Sequence, residues 1–147
     1  MITVSKATHK NKAAIQHLLL ELGRPQADGK KQMAFFEDLI RLYTTGPDKH
    51  ILVAHDAADV VGLASAVVLP RLNRVRPELW IPELVVSKKH RNKGVGKKLI
   101  ISCIALAKRK NCFRIRLESG KNRKSAHKFY KKMGLEAYAV SFSLGLG

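Results

Sequence analysis

The chain has 147 residues, a length typical of one domain that is large enough to bury a hydrophobic core, so we expect a single domain over residues 1–147. Its hydrophobic content of 46% is that of an ordinary globular protein, and no apolar run approaches the roughly 18 residues of a membrane span. The formal net charge of +17 is unusual and leaves three explanations open: a solvated basic surface, a nucleic-acid patch, or attraction of acidic ligands.

The N-terminus and the cysteines favour a cytoplasmic protein. Residues 1–7 lack the charged-then-apolar layout of a signal peptide. Cys103 and Cys112 are the only cysteines, and their apolar surroundings contain no metal-ligand neighbours, so we expect small core residues rather than a metal site. We therefore expect no metal and no membrane association.

Apolar periodicity and turn residues predict the elements of the first half of the chain. Gly62, inside one apolar run, predicts a bulge or unusually close packing. The predicted elements are a strand at Ile2–Ala7, a helix from Asn11 to Gly23, a second helix ending at Gly46, and strands at His50–Ala54 and Val60–Leu69 joined by a turn at Asp56–Asp59.

The second half continues the alternation of strands and helices and predicts a mixed α/β fold with a central sheet. Pro82 lies in the middle of one apolar run, and because proline cannot donate to a ladder, we expect a bulge or a missing partner there. The predicted elements are a strand at Leu79–Val86, a helix at Gly94–Lys110, a strand at Cys112–Glu118, a helix at Arg123–Met133 and one or two closing strands within Leu135–Leu144.

The junction of strand, loop and helix around Gly94 has the features of a phosphate-binding site. The first N–H groups of a helix have no internal partner, and the helix dipole places partial positive charge there. Gly94 and Gly96 let an anion approach the backbone, and Arg91 and Lys93 add formal charge. The spacing fits neither the P-loop nor the GxGxxG dinucleotide pattern, but it does read Arg-x-x-Gly-x-Gly. We expect a phosphate-bearing cofactor.

Two segments resemble motifs of the GNAT N-acetyltransferase superfamily. Val86–Gly96 is similar to its acetyl-CoA motif, Gln/Arg-x-x-Gly-x-Gly/Ala after a strand, and Ala126–Leu135 is similar to its Ala-x-x-Phe-Tyr-x-x-x-Gly-Phe element. The resemblance implies a mixed, mostly antiparallel central sheet with about four helices, whose fourth strand bulges and splays from the fifth to admit pantetheine. It implies acetyl-CoA as donor, bound by Leu84, Val85, Val86, Arg91, Asn92, Lys93, Gly94, Val95, Gly96, Lys97 and Arg123.

The chain departs from the family pattern at two positions. Arg123 stands seven residues before the motif tyrosine, where the family often has Asn, and Asn92 stands where Gly is frequent. The variant is similar to a bacterial subgroup that includes aminoalkylphosphonate and aminoglycoside N-acetyltransferases. This resemblance points to a small primary amine as acceptor.

Two residues are candidates for the proton transfers of a direct acetyl transfer in a ternary complex. The resemblance implies Tyr130 as the acid that protonates the departing thiolate. Glu83 is the only acid on the strand before the phosphate loop, and alternation turns it away from the face of Leu84 and Val86, so it is our candidate base. A water chain in place of a dedicated base stays open, and His90 and His127 are weaker candidates.

The charge distribution bears on the partner. Seventeen of the 28 lysines and arginines lie between Lys88 and Lys132, where Glu118 is the only acid. Such a field attracts acetyl-CoA and suits an amine that carries phosphonate, phosphate or carboxylate better than a polycation or a basic protein tail. A basic nucleic-acid-binding or regulatory module and a protein N-acetyltransferase are the alternatives; few aromatic residues are interleaved with the charge, which disfavours nucleic acid. A homodimer stays open.

Overall fold

The computed structural model describes residues 1–147, which form two compact units, residues 1–116 and residues 117–147. The mixed α/β fold with four helices and a mostly antiparallel sheet is confirmed, whereas a single domain over the whole chain stays a prediction. The elements are β1 (Ile2–Lys6), α1 (Lys12–Glu21), α2 (Gly29–Thr45), β2 (Lys49–Asp56), β3 (Asp59–Leu69), β4 (Glu78–Trp80), β5 (Leu84–Val86), α3 (Val95–Arg109), β6 (Ile115–Arg116) and, in the second unit, α4 (Lys124–Lys132).

The helices of the first unit bury one apolar stripe each. α2 ends at Gly46, whose extended backbone (ψ 157°) cannot continue the helix and is followed by Pro47. Burial of each large side chain of these stripes contributes about 1.5–3 kcal/mol. No helix combines the length and the apolarity that crossing a membrane requires. One core cluster joins α1 and α2 to the sheet: Ala7, Ile15, Leu18, Phe36, Ile40, Ile51, Val53, Leu63 and Val85.

The sheet follows the order β1–β2–β3–β4–β6, and β5 also pairs with β3. Every pair is antiparallel except β4 with β6. The ladder between β2 and β3 shifts register between Ala54 and His55, next to Gly62. A Cβ added at Gly62 would lie 3.0 Å from Val95 Cγ1 and 3.1 Å from Val85 O, so α3 approaches β3 there because the residue is glycine. Both features predicted for Gly62 are therefore present.

The strand predicted at Leu79–Val86 is broken around Pro82. Trp80 pairs with Val67 and Leu84 pairs with Ala64, so four steps along this segment match three steps along β3. The extra residue is the bulge that the proline predicts. β6 pairs with β4 and not with β5, so β5 has a strand neighbour on one side only.

Two sequence predictions about strands are wrong in whole or in part. The strand predicted at Cys112–Glu118 is reduced to Ile115–Arg116. In the second unit, residues 133–147 follow α4 without any strand, so the closing strands predicted at Leu135–Leu144 are not formed. Alternating large and small side chains make a segment compatible with a strand, but a strand exists only where a second one completes its hydrogen-bond ladder.

Candidate active site

The loop between β5 and α3 and the first turn of α3, residues 91–97, form a candidate anion site that we call the cradle. The first N–H group bonded within the helix is that of Lys98, which donates to Gly94 O at 3.1 Å. The N–H groups of Val95, Gly96 and Lys97 therefore point out of the helix end. The Val95 side chain is itself buried against the sheet, so this residue offers the cradle its backbone only.

Backbone conformation explains the residue types of the cradle. Gly94 has φ +82°, in the left-handed region, and a Cβ there would meet nothing within 4 Å, so conformational strain rather than crowding favours glycine. Asn92 also lies in this region, with φ +63°. Asparagine tolerates that conformation better than most residues, which accounts for its presence where the family often has glycine.

Exposed cations surround the cradle. Arg91 donates from Nε to Val86 O at 3.3 Å, which holds the arginine over the end of β5 without neutralising its charge. Lys93 and Lys97 are exposed beside it. A diphosphate placed here would meet backbone N–H groups and formal positive charge together.

Leu84, Val85 and Val86 were the three residues of β5 predicted to bind the donor. The backbone of two of them, Leu84 and Val86, forms the outer edge of the strand. Glu83 O accepts from Ser65 N–H, and Ser87 N–H donates to Val61 O, both towards β3. Backbone groups alternate along a strand, so those of Leu84 and Val86 face the edge that carries no strand. Val85 has its backbone on the β3 side and its side chain in the core, where it is 5% exposed.

Glu83 is fixed by reciprocal bonds with Ser65. Ser65 Oγ donates to Glu83 Oε1 at 2.6 Å and accepts from Glu83 N–H at 2.9 Å. Ser65 is buried in the middle of β3, and the bulge at Pro82 brings the two residues face to face. The carboxylate therefore has one orientation, and its only side-chain hydrogen bond comes from a neutral group.

The Glu83 carboxylate lines a largely apolar cavity of about 290 Å³ between α1, α2 and the sheet. Tyr43 lines it as well; burial raises the pKa of its phenol, and the Glu83 charge raises it further. Arg24 contributes a guanidinium that lies over the Phe36 ring, 5.0 Å from its centroid. The cavity thus combines an apolar wall, one carboxylate, one guanidinium and two hydroxyls.

Sequence reasoning did not find the roles of Ser65, Tyr43 and Arg24. Ser65 had a usable signal, because it is the single polar residue in the apolar run Val60–Leu69. The sequence gives no comparable signal for Tyr43, which lies on α2, or for Arg24, which lies in the loop after α1. Their shared cavity depends on how α1 and α2 pack on the sheet, and no local pattern encodes that.

The second unit places the motif tyrosine on α4. Burial raises the pKa of Tyr130, an effect that the Arg123 charge opposes, so the phenol stays protonated through the neutral range. Its ring lies 5.4 Å from that of Phe129. Arg123 is the N-cap residue of α4. His127 Nε2 donates to Gly120 O at 2.9 Å, which holds that ring against the preceding loop.

A second carboxylate near the same strand break has a different environment. Glu78 has no exposed surface and is bonded by Arg71 and Arg116, with Arg114 Nη2 3.6 Å from its Oε2. Burial by itself would raise the pKa of Glu78, but the hydrogen bonds and charges of the arginines outweigh it and lower the pKa. Glu78 does not line the cavity.

An open strand edge beside a cradle at the start of a helix can hold an extended ligand that carries phosphate. The family model described as "Acetyltransferase (GNAT) family" matches residues 13–135, and the chain belongs to this family. Enzymes of the family generally take the acetyl group from acetyl-CoA and transfer it to an amine.

The similar proteins include N-acetyltransferases and one protein named as a transcriptional regulator. The chain is 31% identical over 88 residues to glucosamine 6-phosphate N-acetyltransferase of Trypanosoma brucei brucei; that match spans 59% of this chain and 58% of the relative, little more than half of each. A transcriptional regulator from Bacillus halodurans C-125 has a TM-score of 0.89 at 22% identity, covering 99% of this chain and 100% of that one. An aminoglycoside acetyltransferase from a soil metagenome has a TM-score of 0.80 at 21% identity, covering 100% and 99%. The two structural likenesses show the shared fold alone.

Proposed function

We propose that this N-acetyltransferase moves the acetyl group of acetyl-CoA directly to the primary amine of a small molecule, with both substrates bound at once. The observation that carries the proposal is the position of Glu83. Its carboxylate lines the cavity, and it directly precedes β5, whose open edge leads to the anion cradle. An amine in the cavity is thereby adjacent to the strand along which the pantetheine arm of the donor would lie.

In this proposal the chain divides the binding of the donor between two surfaces. The N–H groups of Val95, Gly96 and Lys97, with the charge of Arg91, hold the diphosphate. The edge groups of Leu84 and Val86 bond to the pantetheine amides, and a Val86 N–H on this edge polarises the thioester carbonyl. Acetyl-CoA supplies the activated acyl group.

Proton transfers are assigned to two side chains. Glu83 accepts a proton from the substrate ammonium, directly or through one water, so that the nitrogen lone pair attacks the carbonyl carbon. The C–N bond forms and the C–S bond breaks as Tyr130 donates its phenolic proton to the departing sulfur. The second proton that the nitrogen loses on becoming an amide passes to water, from which the phenol is reprotonated. The role of Tyr130 is supported by the family motif and by the protonated state that its raised pKa maintains.

The cavity favours an amine that also carries an anionic group. Glu83 is its only acid, which suits one ammonium, and Arg24 is its only formal cation. Glu78 is bonded to two arginines, and Glu37 is bonded to Lys12. Neither carboxylate is therefore available to form an acidic cluster for a polycation. The named relative from Trypanosoma acts on an amine that bears a phosphate, which agrees with this choice.

A matched panel of amines tests the proposal. Thiol release from acetyl-CoA is followed with glucosamine 6-phosphate, with glucosamine and with a polycationic aminoglycoside. We expect the phosphorylated amine to give at least a tenfold higher kcat/KM than glucosamine, and Arg24→Gln to reduce that ratio. Preference for the aminoglycoside would overturn the anionic-amine assignment.

A separate titration tests whether the chain binds acetyl-CoA, as an acetyltransferase must, or nucleic acid instead. Acetyl-CoA binding is measured by calorimetry at moderate salt, beside binding of a short DNA duplex and a short RNA. Saturable binding of acetyl-CoA is expected. Salt-dependent binding of nucleic acid in the absence of acetyl-CoA binding would instead favour the basic binding module.

A further inference from the structure

The loop between β3 and β4, residues 70–77, exposes two large apolar side chains among three arginines. Its sequence is Pro-Arg-Leu-Asn-Arg-Val-Arg-Pro. Leu72 and Val75 are 110% and 105% exposed, as fully as in an extended peptide. The loop lines neither the acceptor cavity nor the cradle. Apolar and cationic side chains that are exposed together and that the reaction does not use are candidates for contact with another molecule.

The loop is tied to the sheet at several points. Arg71 pairs with the fully buried Glu78, which joins the two ends of the loop. Arg74 N–H donates to Arg71 O at 3.2 Å, and the Arg74 guanidinium lies over the Phe113 ring, 5.1 Å from its centroid. Phe113 N–H donates to Pro77 O at 2.8 Å. A partner therefore meets side chains on an ordered backbone, which lowers the entropic cost of binding.

The arginines at this loop divide into a neutralised and an unneutralised group. Arg71 and Arg116 are bonded to the Glu78 carboxylate. Arg74 and Arg76 are exposed and are in no salt bridge. A guanidinium stacked on an aromatic ring still presents the N–H groups of its plane to a carboxylate. Two charged donors are therefore available beside the two exposed apolar side chains.

The combination of charge with exposed apolar side chains identifies the class of partner as a polypeptide. Carboxylates would bond to Arg74 and Arg76, and neighbouring apolar side chains would cover Leu72 and Val75. Nucleic acid would use the charge alone, since guanidiniums already lie over the Phe113 ring on which a base could stack. A second copy of the chain, itself at +17, would be repelled.

We propose that residues 71–76 are a docking surface for a partner protein, which binds through a segment that combines Asp or Glu with large apolar residues. The carboxylates bond to the two unneutralised guanidiniums, and the apolar residues bury Leu72 and Val75. An apolar centre with a charged rim is the arrangement of a small, transient protein interface. The surface lies outside the acceptor cavity, so the proposal does not depend on which amine the enzyme acetylates.

Two double substitutions at exposed residues test the docking surface. Binding of a fluorescent random copolymer of glutamate and tyrosine is measured by anisotropy at physiological salt, beside poly-glutamate of the same length. We expect the copolymer to bind more tightly than poly-glutamate. Arg74→Gln with Arg76→Gln should raise the copolymer Kd by about tenfold or more, because two charged donors are lost. Leu72→Ser with Val75→Ser should raise it by about fivefold or more, although the charge is kept.

Lys108→Gln with Arg109→Gln is the matched control, because it removes the same charge from the exposed end of α3. It should change the copolymer Kd by less than about twofold, since exposed charges away from a contact are screened. An equal loss in this control would mean that the overall field attracts the copolymer, and would overturn the proposal. Equal affinities for poly-glutamate and the copolymer, or no copolymer binding up to about 100 µM, would overturn it as well.

Two further probes decide the class of partner. Binding of a single-stranded DNA oligonucleotide is measured by anisotropy, and binding of phosphatidylglycerol vesicles by sedimentation, with the same variants. We expect neither probe to respond more to the loop variants than to the control. An affinity for either probe that falls in both loop variants and not in the control would assign the surface to nucleic acid or to a membrane, and would overturn its assignment to a protein.

Discussion

The two parts of the broken strand, β4 and β5, treat charge in opposite ways. Glu78, at the β4 end, is fully buried and bonded to two arginines, with a third nearby. Glu83, immediately before β5, is in no ion pair and receives its side-chain hydrogen bond from Ser65. Two carboxylates that are five positions apart in the sequence thus have different physical tasks.

The difference separates charges that the fold neutralises from charges that it leaves without an ionic partner. A buried charge without a partner is costly, so at β4 the carboxylate and the arginines neutralise one another. At the β5 end the Glu83 carboxylate faces a cavity, and the Arg91 guanidinium has only a carbonyl as partner. Charge that the fold leaves unneutralised is available for an ammonium and for a phosphate.

Glu83→Gln tests the functional side of this comparison and has the largest expected effect. The amide keeps the size of the side chain and its bond to Ser65 but cannot accept a proton. We expect kcat to fall by about 10²–10⁴-fold, the usual contribution of a general base. Thiol-release kinetics measure the loss. Calorimetry should give an acetyl-CoA affinity within about twofold of wild type, because the proposal assigns Glu83 no contact with the donor.

Glu37→Gln is the matched control, because it removes a carboxylate that is paired with Lys12 outside the cavity. It should leave kcat unchanged. Full turnover in E83Q would show that the base is a water chain and would remove Glu83 from the mechanism.

Glu78→Gln tests the structural side. The substitution leaves Arg71, Arg114 and Arg116 around a neutral amide, and breaking a buried pair in this way costs about 3–5 kcal/mol. Urea denaturation should show that loss in the free energy of unfolding, while kcat of the folded fraction stays near wild type. A loss of turnover without a loss of stability would mean that Glu78 belongs to the site after all.

The pH dependence of stability sharpens the same contrast. The pKa of Glu78 in the folded chain lies below its ordinary value of 4.5, so the carboxylate contributes stability that is fully present above that value. The contribution is lost as the pH falls through the lower folded pKa. We expect acid to destabilise the wild type below about pH 4.5, and this part of the dependence to be absent in E78Q.

Tyr130→Phe examines the proton donor that complements Glu83. We expect kcat to fall by about 10², at the lower end for general acid catalysis, with acetyl-CoA affinity retained. Because burial raises the pKa of Tyr130 above its ordinary value, the fall in rate on the alkaline side of the wild-type profile should lie above pH 10. Tyr138→Phe, in the same unit, is the control; equal losses in both variants would contradict a specific role for Tyr130.

Much of the fold could be predicted from local sequence signals. Gly46 ends α2, Gly94 with its positive φ starts α3, and Pro82 produces the bulge, because each acts through its own backbone conformation. The cradle followed from the same kind of signal. These residues specify structure without reference to distant parts of the chain.

Pairings across the chain could not be predicted. The Glu83–Ser65 bond joins residues 18 apart and depends on the register that the bulge creates. The cavity needs the packing of two helices on the sheet. The segment at Leu135–Leu144 has the alternation of a strand, yet alternation does not say which strand completes the ladder or whether it lies in the same chain.

Arg91→Ala has the smallest expected effect and tests the claim that unneutralised charge at the cradle binds phosphate. Removing one charge-assisted contact at an exposed position should weaken acetyl-CoA binding by about tenfold. The backbone N–H groups of Val95, Gly96 and Lys97 remain, so binding is reduced rather than abolished. Lys89→Ala removes the same charge two residues earlier and should change the Kd by less than about twofold, since exposed charges away from a contact are screened. Equal weakening in both variants, vanishing at high salt, would mean that the general field of the basic surface, and not a built cradle, holds the cofactor.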